Sequence, residues 1–145
     1  MTSTFRKIGQ FDISVDGDMV YVSSSSEFNL ETAQEYAVAM EAVIDAMPST
    51  FGVLTRFERP PIVGPDVEIS LRKTAQHRAQ RGMVAVAFVI PERDQAGLSI
   101  ARAQWDRIYG PIDVVFSISS DVDSAGAWLR NQIQSARERQ SRDKV

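Results

Sequence analysis

The eight consecutive apolar residues from Met83 to Ile90 constrain the fold of this chain more than any other stretch. Gly82 precedes the run and Pro91 follows it, and four of its residues are β-branched. An apolar run of this length, bounded by two residues that interrupt regular structure, predicts a strand buried on both faces. Such strands lie inside parallel sheets whose faces are covered by helices, so the sequence predicts an α/β fold.

A β-hairpin is predicted near the N-terminus. Asp16-Gly17 separates two short stretches rich in β-branched residues, and this dipeptide favours the tight turn of a hairpin because the turn requires positive φ. Ser23 to Ser26 follow. They have two interpretations, either a phosphate-binding or phosphorylated loop, or the end of an edge strand and a turn.

Four helices are predicted where apolar residues recur at steps of three and four. Asn29 is a good N-cap for the first helix, Gly82 ends the second, and Asp121 can cap the fourth. Further strands are predicted at Phe51 to Phe57 and Ile112 to Ile118. The predicted helices span about residues 30–47, 66–81, 98–108 and 122–136.

Length and composition favour one domain over residues 1–145, with a polar tail over residues 137–145 that we expect to fray. The chain has no cysteine, which excludes disulfides and thiolate chemistry and fits a reducing cytosol. No apolar segment follows the basic residues near the N-terminus, and no apolar run is long enough to cross a membrane. We therefore expect a cytoplasmic protein without a membrane span.

Charge gives a further expectation about partners. The 16 basic and 19 acidic residues give a net charge of -3, so we expect no nucleic-acid partner. The outer face of the first predicted helix is acidic, whereas that of the second is basic and carries Arg72, Lys73, Arg78 and Arg81. Cations near a helix C-terminus have a structural explanation in the helix dipole. Alternatively, the two faces would let two copies, or a partner, dock by charge complementarity.

No motif predicts catalysis. His77 is the only histidine, and it lies on a predicted basic helical face without a serine, cysteine or second histidine at triad or ligand spacing. The sequence contains no phosphate-binding loop, dinucleotide-binding glycine motif or zinc pattern. We therefore expect no enzymatic activity, no metal and no cofactor.

The loop after Phe51 to Phe57 is the predicted binding region. In open parallel sheets, ligands bind beyond the carboxyl ends of strands, and the amides that begin a helix favour anions. However, its three prolines have no amide to offer, so the loop has an alternative role as a stiff connection. The candidate residues for a ligand or a partner are Pro60, Pro61, Gly64, Asp66, Arg72, Lys73, Arg78 and Trp105.

The layout as a whole resembles the STAS and SpoIIAA-like family, especially its SpoIIAA-like branch. The likeness covers about residues 8–136 and lies in the arrangement of the elements. It implies an N-terminal hairpin followed by repeated βα units, with a mainly parallel sheet of four or five strands and about four helices. It is carried by Asp16-Gly17, Asn29-Leu30-Glu31, Phe51 to Phe57 running into a proline-containing loop, Arg81-Gly82 before Met83 to Ile90, and the strand and helix from Ile112 onward.

Family members with a known role resemble switches in which a serine is phosphorylated in the turn after the strand matching Phe51 to Phe57. Here the corresponding turn, Pro60 to Asp66, contains no serine, and the next serine is Ser70, inside a predicted helix. No phosphorylation site is therefore carried over. The fold also resembles the lipid-carrying CRAL-TRIO domains, which implies helices that can open around an apolar ligand.

Two hypotheses of function follow. The first is a non-enzymatic STAS-like adaptor that binds a protein, or a second copy of itself, through Pro60 to Asp66 and the basic helix. The second is a carrier or sensor of a small apolar or lipid-like ligand near the same loop, with Met40, Met47 and Trp105 lining the pocket.

Overall fold

The computed structural model describes residues 5–8, 11–24, 29–91 and 94–143. It contains one six-stranded sheet whose spatial order follows the chain. The strands are β1 (Phe5–Ile8), β2 (Phe11–Asp16), β3 (Met19–Ser24), β4 (Phe51–Phe57), β5 (Met83–Val89) and β6 (Val115–Ser119). The helices are α1 (Leu30–Asp45), α2 (Pro65–Arg81), α3 (Gln95–Tyr109) and α4 (Val122–Asp143).

The predicted α/β fold class is confirmed. Strands β3 to β6 pair in parallel, whereas β1 and β2 add to the sheet in antiparallel fashion. The predicted hairpin is β2 and β3, and Gly17 in its turn has a φ of 62°. Strand β1 was not predicted, so the sheet has six strands, whereas four or five were expected. Ser23 and Ser24 end β3, and Ser25 and Ser26 lie outside the described residues.

Strand β5 is buried on both faces, as predicted. Val86, Phe88 and Ile90, the last just beyond the strand, belong to the larger apolar cluster, which also contains residues of α1, α2 and α3. The smaller residues Ala85 and Ala87 belong to the cluster on the other face, where α4 packs. Large side chains therefore separate the sheet from three helices, and small ones let the fourth helix approach it.

The close approach of α4 also depends on a glycine in β4. A Cβ atom at Gly52 would lie 2.6 Å from Cδ1 of Leu129 in α4. The register between β4 and β5 shifts beside this glycine, between Phe51 and Gly52. Gly52 and the alanines of β5 thus form a shallow strip on which Leu129 and Ile133 pack.

The boundaries of α3 and β6 differ from the predicted ones. Helix α3 begins at Gln95, earlier than expected, because the Asp94 side chain accepts a hydrogen bond from the Gly97 amide and caps the helix. Strand β6 begins at Val115, because the chain turns after α3 and the Ile112 amide donates to the Tyr109 carbonyl.

Most of the predicted polar tail, residues 137–143, is helical, because α4 continues to Asp143. Arg137 forms an ion pair with Asp18 at 2.7 Å, and Gln140 accepts a hydrogen bond from the Thr50 hydroxyl at 2.9 Å. These contacts tie a polar helical end to the sheet, which the apolar pattern could not show. Residues 144 and 145 lie outside the described part of the chain.

Within the described ranges, no helix combines the length and the apolar character needed to cross a bilayer.

Gly82 provides a test of how α2 joins β5. It has a φ of 119°, and a Cβ atom there would lie 2.0 Å from the Ser49 carbonyl oxygen. We expect Gly82→Ala to lower the free energy of unfolding by more than about 2 kcal/mol, because backbone strain and a steric clash act together. Denaturant unfolding measures this loss.

Gly17→Ala is the matched control, because its φ is also positive but nothing lies within 4 Å of the added Cβ. It should cost only about 1 kcal/mol. Equal losses for the two variants would contradict the close packing of Gly82 against Ser49.

Candidate functional site

A cavity of about 50 Å³ lies between the sheet and the helices α2 and α3, beneath the loop that follows β4. Its wall is mostly apolar and aromatic. Three further wall residues, Arg78, Gln104 and Thr55, are polar and buried. The remaining wall residues are Phe11, Val22, Tyr36, Val53, Phe57, Pro61, Val63, Leu71, Thr74, Val86, Phe88, Trp105, Ile108 and Tyr109.

An aromatic stack forms one side of the cavity. The rings of Phe88 and Trp105 are nearly parallel, with centroids 3.7 Å apart and planes 7° apart. Phe57 lies beside both rings at 6.2 Å. Stacked rings contact each other over a large apolar area, and all three of these aromatic residues also line the cavity.

Gln104 fixes the loop over the cavity. Its Nε2 donates a hydrogen bond to the Pro61 carbonyl at 2.8 Å, and its Oε1 accepts one from the Val63 amide at 2.9 Å. One side chain of α3 therefore satisfies two backbone groups of the loop. Because Gln104 itself is buried, these bonds hold the loop closed from the inside.

Arg78 is the buried charge of the site. Only 6% of the surface of Arg78 is exposed. Its Nη1 donates to the Tyr36 hydroxyl at 3.3 Å, and its Cζ lies 4.9 Å from the centroid of the Tyr36 ring. Neither Nε nor Nη2 has a hydrogen-bond partner, and Arg78 forms no ion pair with any described residue. Such an arrangement is costly, because buried cations are normally paired.

Tyr109 adds a phenol group to the same wall. Burial raises the pKa of its phenol well above the ordinary value, and nearby Arg78 partly opposes the shift. The phenol therefore stays neutral at physiological pH. Arg78 is then the residue that gives the cavity wall its charge, and the charge is positive.

A groove of about 220 Å³ opens between α1 and α2 beside the cavity. Arg78 and Thr74 line both spaces, so they form the boundary between the groove and the interior. Exposed Lys73 and His77 line the groove together with Glu41. The solvent side of Arg78 thus carries a cation, Lys73, and a carboxylate, Glu41, together with His77.

The structure brings three of the predicted site residues together and separates the others. Pro61, Arg78 and Trp105 line the cavity, and Lys73 lines the groove. Pro60 is half-buried beside α3, where a Cβ at Gly97 would lie 3.3 Å from its Cγ. Gly64 and Asp66 are exposed at the start of α2.

The predicted basic face of α2 is divided in the structure. Arg72 binds Glu68 at 2.7 Å, and Glu68 also binds Arg107 of α3 at 2.6 Å. Hydrogen bonding from Arg107 lowers the pKa of Glu68, and Arg72 adds to the shift. Arg72 therefore belongs to a link between α2 and α3, and Arg78 points inward.

The acidic and basic helices meet within one molecule. α1 packs on α2, and Arg81 lies 3.5 Å from the carboxylate of Asp45. Part of the charge complementarity that suggested docking between copies is thus used inside the chain.

Two predicted pocket residues lie elsewhere. Met40 and Met47 are buried in the core, and neither lines the cavity. The sequence interpretation missed Tyr36 and Gln104. A signal existed for Gln104, because it follows Ala101 by three residues and precedes Ile108 by four, which places it on the buried face of α3.

Among the described residues, no group of three or more His, Cys, Asp or Glu side chains could hold a metal ion. Comparison of the chain with protein-family models, with curated proteins and with solved structures finds no match.

Gln104→Leu tests whether this side chain holds the loop. The variant leaves the Pro61 carbonyl and the Val63 amide without their partner, so we expect the free energy of unfolding to fall by roughly 2 kcal/mol. The amide of Val63 should also exchange with solvent faster than in the parent protein, relative to the amides of β5. Denaturant unfolding and hydrogen exchange measure the two effects.

Gln80→Leu, at an exposed position of α2, is the control and should change stability by no more than about 0.5 kcal/mol. An unchanged exchange rate at Val63 in Gln104→Leu would mean that other contacts hold the loop.

Proposed function

We propose that this chain is a cytoplasmic, non-enzymatic domain of STAS-like layout that binds a small organic molecule in the cavity beneath the loop from Pro60 to Asp66. The observation that carries the proposal is the mostly apolar cavity lined by the stacked rings of Phe88 and Trp105. Ligand sites are commonly concave, mostly apolar and provided with a few polar groups that fix orientation. The hairpin followed by parallel βα units supports the STAS-like part of the proposal.

The size of the cavity restricts the ligand. About 50 Å³ is well below the roughly 150 Å³ of a cavity that accepts benzene, and far below the 300 Å³ or more typical of drug-sized ligands. A lipid chain would require the loop and helices to move apart. The closed form therefore favours a ligand of a few non-hydrogen atoms over a lipid.

The loop offers a way to report occupancy to a protein partner. Pro61 and Val63 face the cavity, whereas Ile62 between them is 59% exposed. Ile69 in the first turns of α2 is 53% exposed. Because Ile62 lies between Pro61 and Val63 in the chain, a ligand that shifts either of these cavity-facing residues also shifts the exposed Ile62. A partner that binds Ile62 and Ile69 would make the domain a ligand-dependent adaptor.

Filling the cavity tests the proposal. Val86→Ile adds one methylene group to the cavity wall, and Val84→Ile adds the same group on the opposite face of β5, where Val84 packs toward α4. Amide NMR spectra are recorded with propionate, propionamide and isopropanol. We expect at least one compound to shift the amides around the cavity in the parent and in Val84→Ile, and to bind several-fold more weakly in Val86→Ile, because the added group occupies the ligand's space.

Spectra that do not change at the cavity with any of the three compounds would contradict the proposal. Equal binding by Val86→Ile and Val84→Ile would also contradict it. Ile62→Ser serves as the outer-surface variant and should leave binding of the compounds unchanged.

A further inference from the structure

We propose that the ligand is a short-chain monocarboxylate, held through its two carboxylate oxygens by Nε and Nη2 of Arg78. This inference rests on the proposed function and adds the chemical class of the ligand. The observation that carries it is a guanidinium group at the boundary of the cavity, 6% exposed as a residue, with two donor atoms that have no partner.

The two unpaired donor atoms are the ones that bind a carboxylate side-on. Nε and Nη2 share one edge of the planar guanidinium group, so their N–H bonds are nearly parallel and match the two oxygens of a carboxylate. The opposite edge is already used, because Nη1 donates to the Tyr36 hydroxyl. That bond and the Tyr36 ring fix the orientation of the fork before a ligand arrives.

The same edge of a guanidinium group binds a carboxylate elsewhere in the chain. Arg107 donates from Nη2 to Oε1 of Glu68 at 2.6 Å, and from Nε to Oε1 at 3.0 Å and to Oε2 at 3.1 Å. In Arg107 the partner is a side chain of α2. In Arg78 the equivalent edge has no acceptor among the described residues, so a ligand carboxylate would complete a similar pairing at a more buried position.

The energetic argument favours an anion over a neutral ligand. A buried cation without a counter-charge is unfavourable, and the Tyr36 ring offsets only part of that cost. A carboxylate restores a charged hydrogen-bonded pair, whereas an amide of the same shape places an NH2 group against one donor of the fork. A single negative charge is indicated because, among the described residues that line the cavity, Arg78 alone is a cation, and Tyr109 stays neutral.

The rest of the cavity determines the size and the polarity of the part of the ligand beyond its carboxylate. About 50 Å³ is a third of the roughly 150 Å³ of a cavity that accepts benzene, so the ligand has fewer non-hydrogen atoms than the six of benzene. Phe88 and Val86 would contact its alkyl chain and offer it no hydrogen bond. The ligand class is therefore a very small fatty acid anion such as acetate or propionate.

The groove between α1 and α2 gives such an anion a way in. Arg78 and Thr74 border both spaces, and exposed Lys73 lies on the solvent side. An anion attracted to Lys73 would meet the Arg78 side chain next. Arg78 and Thr74 are therefore the side chains that would move to let the anion pass from the groove to the cavity.

The test compares an acid with its amide. The parent protein is titrated with sodium propionate and with propionamide at constant ionic strength set with sodium chloride, while NMR follows the backbone amides and the Arg78 Nε resonance. We expect propionate to bind at least about tenfold more tightly than propionamide, because the charged pair forms only with the acid.

Two variants locate the preference. Arg78→Met keeps an apolar side chain of similar length and should remove the difference between acid and amide. Arg81→Met removes an exposed cation of the same helix and should keep the difference. If Arg78→Met fails to fold, the Arg78 Nε resonance of the parent protein shows whether Arg78 binds the carboxylate. It should shift on addition of propionate and stay in place on addition of chloride.

The outcomes separate the two proposals. If both compounds shift the cavity amides with equal affinity, or if the Arg78 Nε resonance does not respond to propionate, the carboxylate inference is wrong and the proposed ligand site stands. If no compound, charged or neutral, shifts the amides around the cavity, both proposals are wrong.

Discussion

The structure depends on the burial of β5 on both faces. Burial of apolar surface stabilises a fold by about 25 cal/mol per Å². In a strand with helices on both faces, nearly every side chain contributes to this stabilisation. The division of residue sizes on β5 then determines the spacing of the layers. Ala85 and Ala87, with Gly52 on β4, bring α4 close to the sheet, whereas Phe88 and its aromatic neighbours hold α2 and α3 away from it.

The candidate site is a consequence of that asymmetry. Large rings on one face leave space that their shapes do not completely fill, and the space is covered by a loop that Gln104 holds from within. Placing Arg78 there reduces the stability of the fold, since desolvating a charge is unfavourable when, among the described residues, the Tyr36 hydroxyl is its one hydrogen-bond acceptor. A fold selected for stability alone would have an apolar side chain at this position. A buried and incompletely paired arginine is therefore a stronger indication of function than the exposed basic residues of α2.

The strands and helices were largely predictable because their signals are local. The apolar run of β5, the Asp16-Gly17 turn and the Asn29 cap each act within a few residues, and each is confirmed. The helical end of α4 was not predicted because it depends on distant partners, such as Asp18 for Arg137. Strand β1 pairs with the neighbouring β2, but its 4 residues, with Arg6 and Lys7 among them, are too few to show a strand pattern. Within the site, Arg78 was assigned to an exposed basic surface, although it follows Ala75 by three residues and Leu71 by seven and so lies on the buried face of α2. The pairing of Gln104 with the loop joins residues about forty positions apart, which no local pattern reveals.

A crystal structure of the protein grown in sodium propionate tests the role of Arg78 most directly. We expect a carboxylate with both oxygens within about 3 Å of Nε and Nη2 of Arg78, and its alkyl chain against Trp105 and Phe88. The guanidinium group should remain over the Tyr36 ring. An Arg78 side chain that extends into solvent, with the cavity closed by its apolar walls and no propionate beside it, would contradict the buried anion site.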